Sequence, residues 1–196
     1  MKPFFKYREN FLGFPFFLGV GIRIFVFLFQ DPFNNDNHFQ VIDWIRNHGT
    51  IPLATQFNQA YHPPLYYLLD QLFYLGDSSY LSLKLMQLFS LLTSLMTFIV
   101  LYQMINRFIH SERIRLYMIL FVALLPQFIM FGNYVSNDSL ANFIGALLFL
   151  QAYLYIEKPT LSNKIWIAVL LGLGLLTKAS FLAFIPVVLL LVVIVE

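Results

Sequence analysis

The sequence predicts an all-α, polytopic membrane bundle whose first outer loop is large and carries interfacial amphipathic helices. Three observations predict it. Hydrophobic residues make up 59% of the chain and charged residues 11%, against roughly a half and a quarter in a soluble domain. Several apolar runs approach the ~20 residues that a hydrocarbon core requires. One long polar interval, from Asn34 to Leu69, interrupts them and holds His38, His48 and His62, three of the four histidines. A net charge of +2 gives no case for a nucleic-acid partner, and the absence of cysteine excludes disulfides, thiolate metal sites and thiol nucleophiles.

Taken in order, the apolar runs place spans at about 11–29, 81–105, 116–131, 140–156, 165–176 and 181–195, with the outer loop at 31–80. The basic start, from Lys2 to Arg8, resembles a signal n-region, but no small-residue cleavage site precedes Gln30, so 11–29 reads as an uncleaved span. In the loop, Phe39, Ile42 and Ile45 share a helical face, with Val41 and Trp44 beside them and Gln40, Asp43, Arg46 and Asn47 opposite. That pattern suits a short helix lying in the membrane interface, with Asp43 an ordinary polar-face residue. Gly49 and Pro52 end it.

Pro63 and Pro64 open a second short helix. Leu65, Leu68, Leu69, Leu72 and Phe73 form its apolar stripe, and Asp70 and Gln71 fall off that stripe. At about 12 residues it is too short to span. The final run, Ile165 to Val195, is too long for one span and its halves are short, so a helix break is expected at Thr177–Ser180. The chain stops directly after an apolar run, which reads as the N-terminal portion of a single transmembrane domain in a longer protein.

Basic residues set the orientation. Lys2, Lys6 and Arg8, then Arg107, Arg113 and Arg115, then Lys158 and Lys164 fall in loops that would be cytoplasmic. The 31–80 and 132–139 loops would then face outside.

Few residues offer chemistry. Asp36 stands just past the first span among Asn34, Asn35, Asn37 and His38. A carboxylate there can accept a proton from a substrate hydroxyl; the alternative is a turn- or cap-former. His38 and His62 suit substrate contacts, and His38 with Asp36 has the donor chemistry of a divalent-metal site, but no ligand spacing marks one. The alternative is a pair of structural histidines. Asn137 and Asp138 sit at the mouth of the fourth span, where helix capping by Ser136, Asn137 or Asp138 competes with a binding role.

Arg23 and Lys178 interrupt apolar runs, where a charge costs a few kcal/mol on insertion scales. Measured from the cytoplasmic ends of their helices they lie about 18 and 20 Å deep, a cation layer suited to an anionic lipid phosphate. Snorkelling, or pairing with an internal carboxylate, is the alternative.

The acidic residue after the first span, the helix ending in Gly-Thr-Ile-Pro and the following Tyr-His-Pro-Pro-Leu-Tyr-Tyr resemble the first outer loop of the GT-C glycosyltransferases, in their protein-mannosyltransferase-like and aminoarabinose-transferase-like branches. Val135-Ser-Asn-Asp-Ser139 and Gly172-Leu-Gly-Leu-Leu-Thr-Lys-Ala-Ser180 resemble later parts of the same group. The resemblance implies transfer of a sugar from a polyprenyl-phosphate donor to a glycan, lipid or protein acceptor at the outer face of a bacterial plasma membrane. It places Asp36 at the catalytic carboxylate and Asp138 at the second loop's acidic residue. Where many members carry Asp-Glu, this chain has Asp36-Asn37, which removes any role needing two adjacent carboxylates. A transporter or lipid flippase, or a non-catalytic membrane assembly subunit, are the readings from other classes.

Overall fold

The computed structural model describes residues 13–32 and 37–195. Among them the protein is all-helical, in the order α1 (Gly13–Phe29), α2 (His38–His48), α3 (Leu65–Asp70), α4 (Tyr80–Phe108), α5 (Glu112–Leu124), α6 (Pro126–Phe131), α7 (Asn137–Glu157), α8 (Leu161–Thr177) and α9 (Phe184–Val195), with 3-10 turns at Gln71–Phe73 and Ala179–Ala183. Two helices, α4 and α7, are long and apolar enough to cross a membrane, and α1, α8 and the Ala179–Val195 segment are shorter apolar helices. Large apolar side chains point outward along them, among them Phe17 at 71%, Phe149 at 53% and Val193 at 74% exposure. A surface of that kind is covered by lipid.

The small polar residues face inward instead. Ser90, Thr93, Ser94 and Thr97 line the buried side of α4, where small side chains let helices approach and hydroxyls bond across them. Gly19 of α1 answers the same demand: a Cβ there would lie 2.5 Å from the Phe98 ring of α4. Helix α7 packs on α4 and α8, and α1 packs on α4 and α5.

Proline breaks the segment expected to be one span at 116–131. Pro126 has no N–H to give Val122, so α5 stops at Leu124 and α6 begins at Pro126. Carbonyls freed in that way inside a membrane each cost several kcal/mol unless something bonds them. Arg23 does. Its Nη1 donates to Ala123 O at 3.2 Å and to Gly19 O at 2.9 Å, Nη2 donates to Val122 O at 3.3 Å, and Nε donates to Ser94 Oγ at 3.3 Å. The guanidinium also lies 4.6 Å from the centre of the Phe98 ring. Lys84 of α4 plays a like part at the end of α1, its ammonium donating to Phe27 O and to Gln30 O.

The last run divides where the Thr177–Ser180 polar stretch falls: α8 ends at Thr177 and a 3-10 turn leads into α9. Phe181 folds back onto α8, and only glycine at 174 admits it, since a Cβ there would sit 2.0 Å from the ring.

The helix ends sort into two groups. Arg107 at the end of α4 is ion-paired with Glu157 at the end of α7, which puts the basic 107–115 and 157–164 connections at one end of the bundle. At the other end, Lys84 joins the start of α4 to the end of α1, and Asn137 at the start of α7 donates to Thr177 O at the end of α8. Helices α2 and α3 cover this second end, packed over a buried cluster that includes Val41, Ile42, Tyr66, Tyr67, Ile144 and Phe181.

On helix α3 the residues off the leucine stripe are the most buried. Tyr66, Tyr67 and Asp70 are buried, whereas Leu68 and Leu72 are 46% and 80% exposed. Leu68 and Leu72 look away from the protein, where a membrane offers an apolar medium, while Leu65, Leu69 and Phe73 pack against the buried cluster and Asp70 turns inward to the Tyr66 hydroxyl. Asp43 is likewise no idle polar-face residue: the Tyr74 hydroxyl donates to its carboxylate.

Candidate functional site

The covered end of the bundle brings together most of the residues singled out in the sequence. Asp36 lies outside the described residues. His38 opens α2 and is 2% exposed. Its ring stacks near that of His62, with centroids 5.7 Å apart and planes inclined at 24°. Asp138 and Lys178, a hundred residues and more downstream, lie close enough to act on its charge. Burial first, then His62 and Lys178, push the His38 imidazole down to about 4, against a smaller opposing pull from Asp138. His38 is therefore a neutral ring in this setting.

The mouth of α7 resolves the competition between capping and binding. Ser136 is the N-cap, its Oγ accepting from Asp138 N at 3.3 Å. Asn137 reaches across to α8, its Nδ2 donating to Thr177 O at 3.3 Å. That leaves the Asp138 carboxylate free for other work: one oxygen accepts from Ser136 Oγ at 3.0 Å and the other takes the Lys178 ammonium. The pair is about a quarter exposed on each side, so it is partly desolvated and still reachable.

Lys178 thus has an internal carboxylate as its partner. Among the described residues the bonds of Arg23 go to α1, α4 and α5 and not to a carboxylate. Among the described residues no three histidine, cysteine or acidic side chains converge as a metal site would need.

A residue that pattern reading passed over is Asp70, which is fully buried. Its Oδ2 accepts from the Tyr66 hydroxyl at 2.9 Å, and its other oxygen is buried without a partner among the described residues. Burial holds this carboxyl well above the usual range, against the opposing effect of the Tyr66 hydrogen bond. Burial thus favours the uncharged form of this carboxyl, the form that costs least to bury.

A family model described as a predicted membrane protein (DUF2142) matches residues 32–196. The chain belongs to the DUF2142 family. No curated protein and no solved structure matches it. The match takes in everything from the covering loop onward, so both walls of the DUF2142 candidate site, the loop with His38 and His62 and the helix mouths with Asp138 and Lys178, fall inside the family region. The family description makes the protein a membrane protein and agrees with its apolar helices and outward-facing aromatic and aliphatic side chains.

Proposed function

We propose that this DUF2142 protein is a multi-pass membrane glycosyltransferase, or the part of one that holds its active site, taking a sugar from a polyprenyl-phosphate donor. The observation that carries this reading is the convergence of first-loop His38 and His62 with Asp138 and Lys178 at one end of the bundle. A transferase of this kind needs acceptors for sugar hydroxyls beside a cation for the phosphate that departs. The protein would lie in a bacterial plasma membrane with that end outside, an orientation favoured by Arg107, Arg113, Arg115, Lys158 and Lys164 collecting at the other end.

The chemistry assigns Asp36 the acceptor's proton. The acceptor oxygen attacks the anomeric carbon, the new glycosidic C–O bond forms, and the bond from that carbon to the phosphate oxygen breaks. The electron pair and negative charge leave with the polyprenyl phosphate. Lys178, held in place by Asp138 until then, offsets the charge that develops. Asn137, by binding Thr177 O, fixes the end of α8 from which Lys178 projects. Arg23 has the architectural task described above.

The test is transfer of radiolabelled sugar from polyprenyl-phosphate donors to membrane acceptors by the full-length protein. Replacing Asp36 by Asn should lower turnover by on the order of 10²–10⁴-fold, the usual range for a general base, with the protein inserted as before. Wild-type turnover in that variant would remove Asp36 from the mechanism. Thiol labelling of Asn58→Cys in a chain without native cysteines checks the orientation. Labelling only after lysis would put the loop in the cytoplasm and end this reading.

A further inference from the structure

Tyr67 is 1% exposed and has no part in the mechanism above. Its hydroxyl has one hydrogen and two close neighbours, Gln59 O at 3.1 Å and His38 Nδ1 at 2.9 Å. A carbonyl oxygen only accepts, so the hydroxyl hydrogen is committed to Gln59. The contact with the imidazole must then run the other way, Nδ1–H donating to the tyrosine oxygen. A neutral imidazole carries a single N–H. With that hydrogen on Nδ1, Nε2 is left as a bare lone pair.

Everything around the ring holds it still. His62 stacks alongside, the Tyr66 ring meets it edge-on at 6.2 Å, and Tyr67 itself lies at 5.8 Å. The charged groups that act on it, Asp138 and Lys178, belong to the candidate site. The chain Gln59, Tyr67, His38 therefore fixes an uncharged acceptor on a ring that feels that site's cation and carboxylate.

We propose that Tyr67 is a positioning residue that locks His38 in its Nδ1–H tautomer, so that Nε2 accepts a hydrogen bond from a hydroxyl of the donor's sugar. The identity of that hydroxyl rests on the functional reading above; the tautomer does not. A lone pair with no hydrogen of its own discriminates between the two halves of a glycosyl phosphate lipid. It can bind a sugar hydroxyl, which donates, and has nothing to offer an ionised phosphate oxygen, which only accepts.

Two measurements test this. The first is the ¹⁵N spectrum of the histidine-labelled protein in detergent near neutral pH, with His38→Asn assigning the signal. Asparagine keeps an N–H where Nδ1 stood and lacks the Nε2 acceptor. The expected signal shows protonated Nδ1 and bare Nε2, and Tyr67→Phe should move it toward the Nε2–H form. Protonated Nε2 in the native protein, or a tautomer unchanged by Tyr67→Phe, overturns the positioning role. A micromolar Zn²⁺ or Mn²⁺ addition that shifts or broadens Nε2 also overturns the proposal, since the lone pair would then serve a metal.

The second measurement compares binding of farnesyl phosphate with that of its mannosyl ester. His38→Asn and Tyr67→Phe should weaken the ester about 3–10-fold, the size of one hydrogen bond, and leave bare farnesyl phosphate unchanged. Equal loss on both ligands, or no loss on either, overturns the acceptor role alone. A native protein that binds neither ligand overturns the functional reading along with it.

Discussion

Arg23 and Lys178 are both cations set into apolar runs, and the sequence gives no reason to treat them differently. The structure separates them. Arg23 is 1% exposed and spreads its donors over three carbonyls and a hydroxyl drawn from three helices. Lys178 is about a quarter exposed and meets one carboxylate. A guanidinium has five donors in a fixed fork, which suits it to bonding several immovable backbone groups at once. An ammonium on a flexible stem can leave one partner for another. The first arrangement is built into the bundle, and the second can be exchanged when a competing anion arrives.

The sharpest way to break this comparison is to remove each cation in turn. Arg23→Met strands Val122 O and Ala123 O at the proline break, and losing several buried hydrogen bonds should cost about 3–5 kcal/mol. Yield and thermal unfolding in detergent measure this. A variant as stable as the native protein would show that the carbonyls have other partners. Removing Lys178 should do the reverse. In Lys178→Met, stability should fall by only about 1–2 kcal/mol, and the Lys178→Met, Asp138→Asn double variant should regain part of it, because the carboxylate is then no longer left unpaired. Affinity for farnesyl phosphate should fall by about 10-fold in both. Unchanged affinity would make the Asp138–Lys178 pair a structural clasp like its neighbour.

A smaller effect sharpens the account of Arg23. In Pro126→Ala the backbone regains an N–H opposite Val122, so one of the arginine's acceptors gains a helical partner. Arg23→Met should then be milder by about 1 kcal/mol in the Pro126→Ala background than in the native one. A double-mutant cycle on thermal unfolding reads that difference. Strict additivity would mean that Arg23 and the proline break are independent.

Much of the fold was legible because a membrane span advertises itself by length and hydropathy. The long helices α4 and α7 follow from apolar runs, and the break before α9 follows from Thr177–Ser180 interrupting one. The helix His38–His48 follows from its amphipathic period. Period alone was less informative for α3. Its stripe is divided, with Leu65, Leu69 and Phe73 packed on the protein and Leu68 and Leu72 exposed. Asp70, placed off the stripe, is among the most buried residues in the protein.

Long-range pairings were hidden for a different reason. Nothing local tells that Arg23 bonds a carbonyl 100 positions later, that Asp138 meets Lys178 at a separation of 40, or that Tyr74 reaches Asp43. In the site, His38 and His62 were visible as histidines of the one long polar interval, Asn137 and Asp138 as polar residues at a helix mouth, and Lys178 as a charge in an apolar run. Tyr67 was visible only as the last residue of the Tyr-His-Pro-Pro-Leu-Tyr-Tyr stretch. Its use depends on which atoms its single hydroxyl hydrogen can serve, a matter of three-dimensional contact.

The arginine in α1 has a consequence for the order in which the chain is made. Its acceptors on α5 are Val122 and Ala123, 99 and 100 residues downstream, and the clasp on the end of α1 comes from Lys84, 57 residues beyond Phe27. At a synthesis rate of about 5–20 residues per second, the first helix exists for roughly 5–20 seconds before the ribosome has made the groups that satisfy it. Its end waits for Lys84 through about the first half of that interval, and its arginine waits for α5 through all of it. The first helix of this protein is therefore a guest of the insertion machinery until its fifth has emerged.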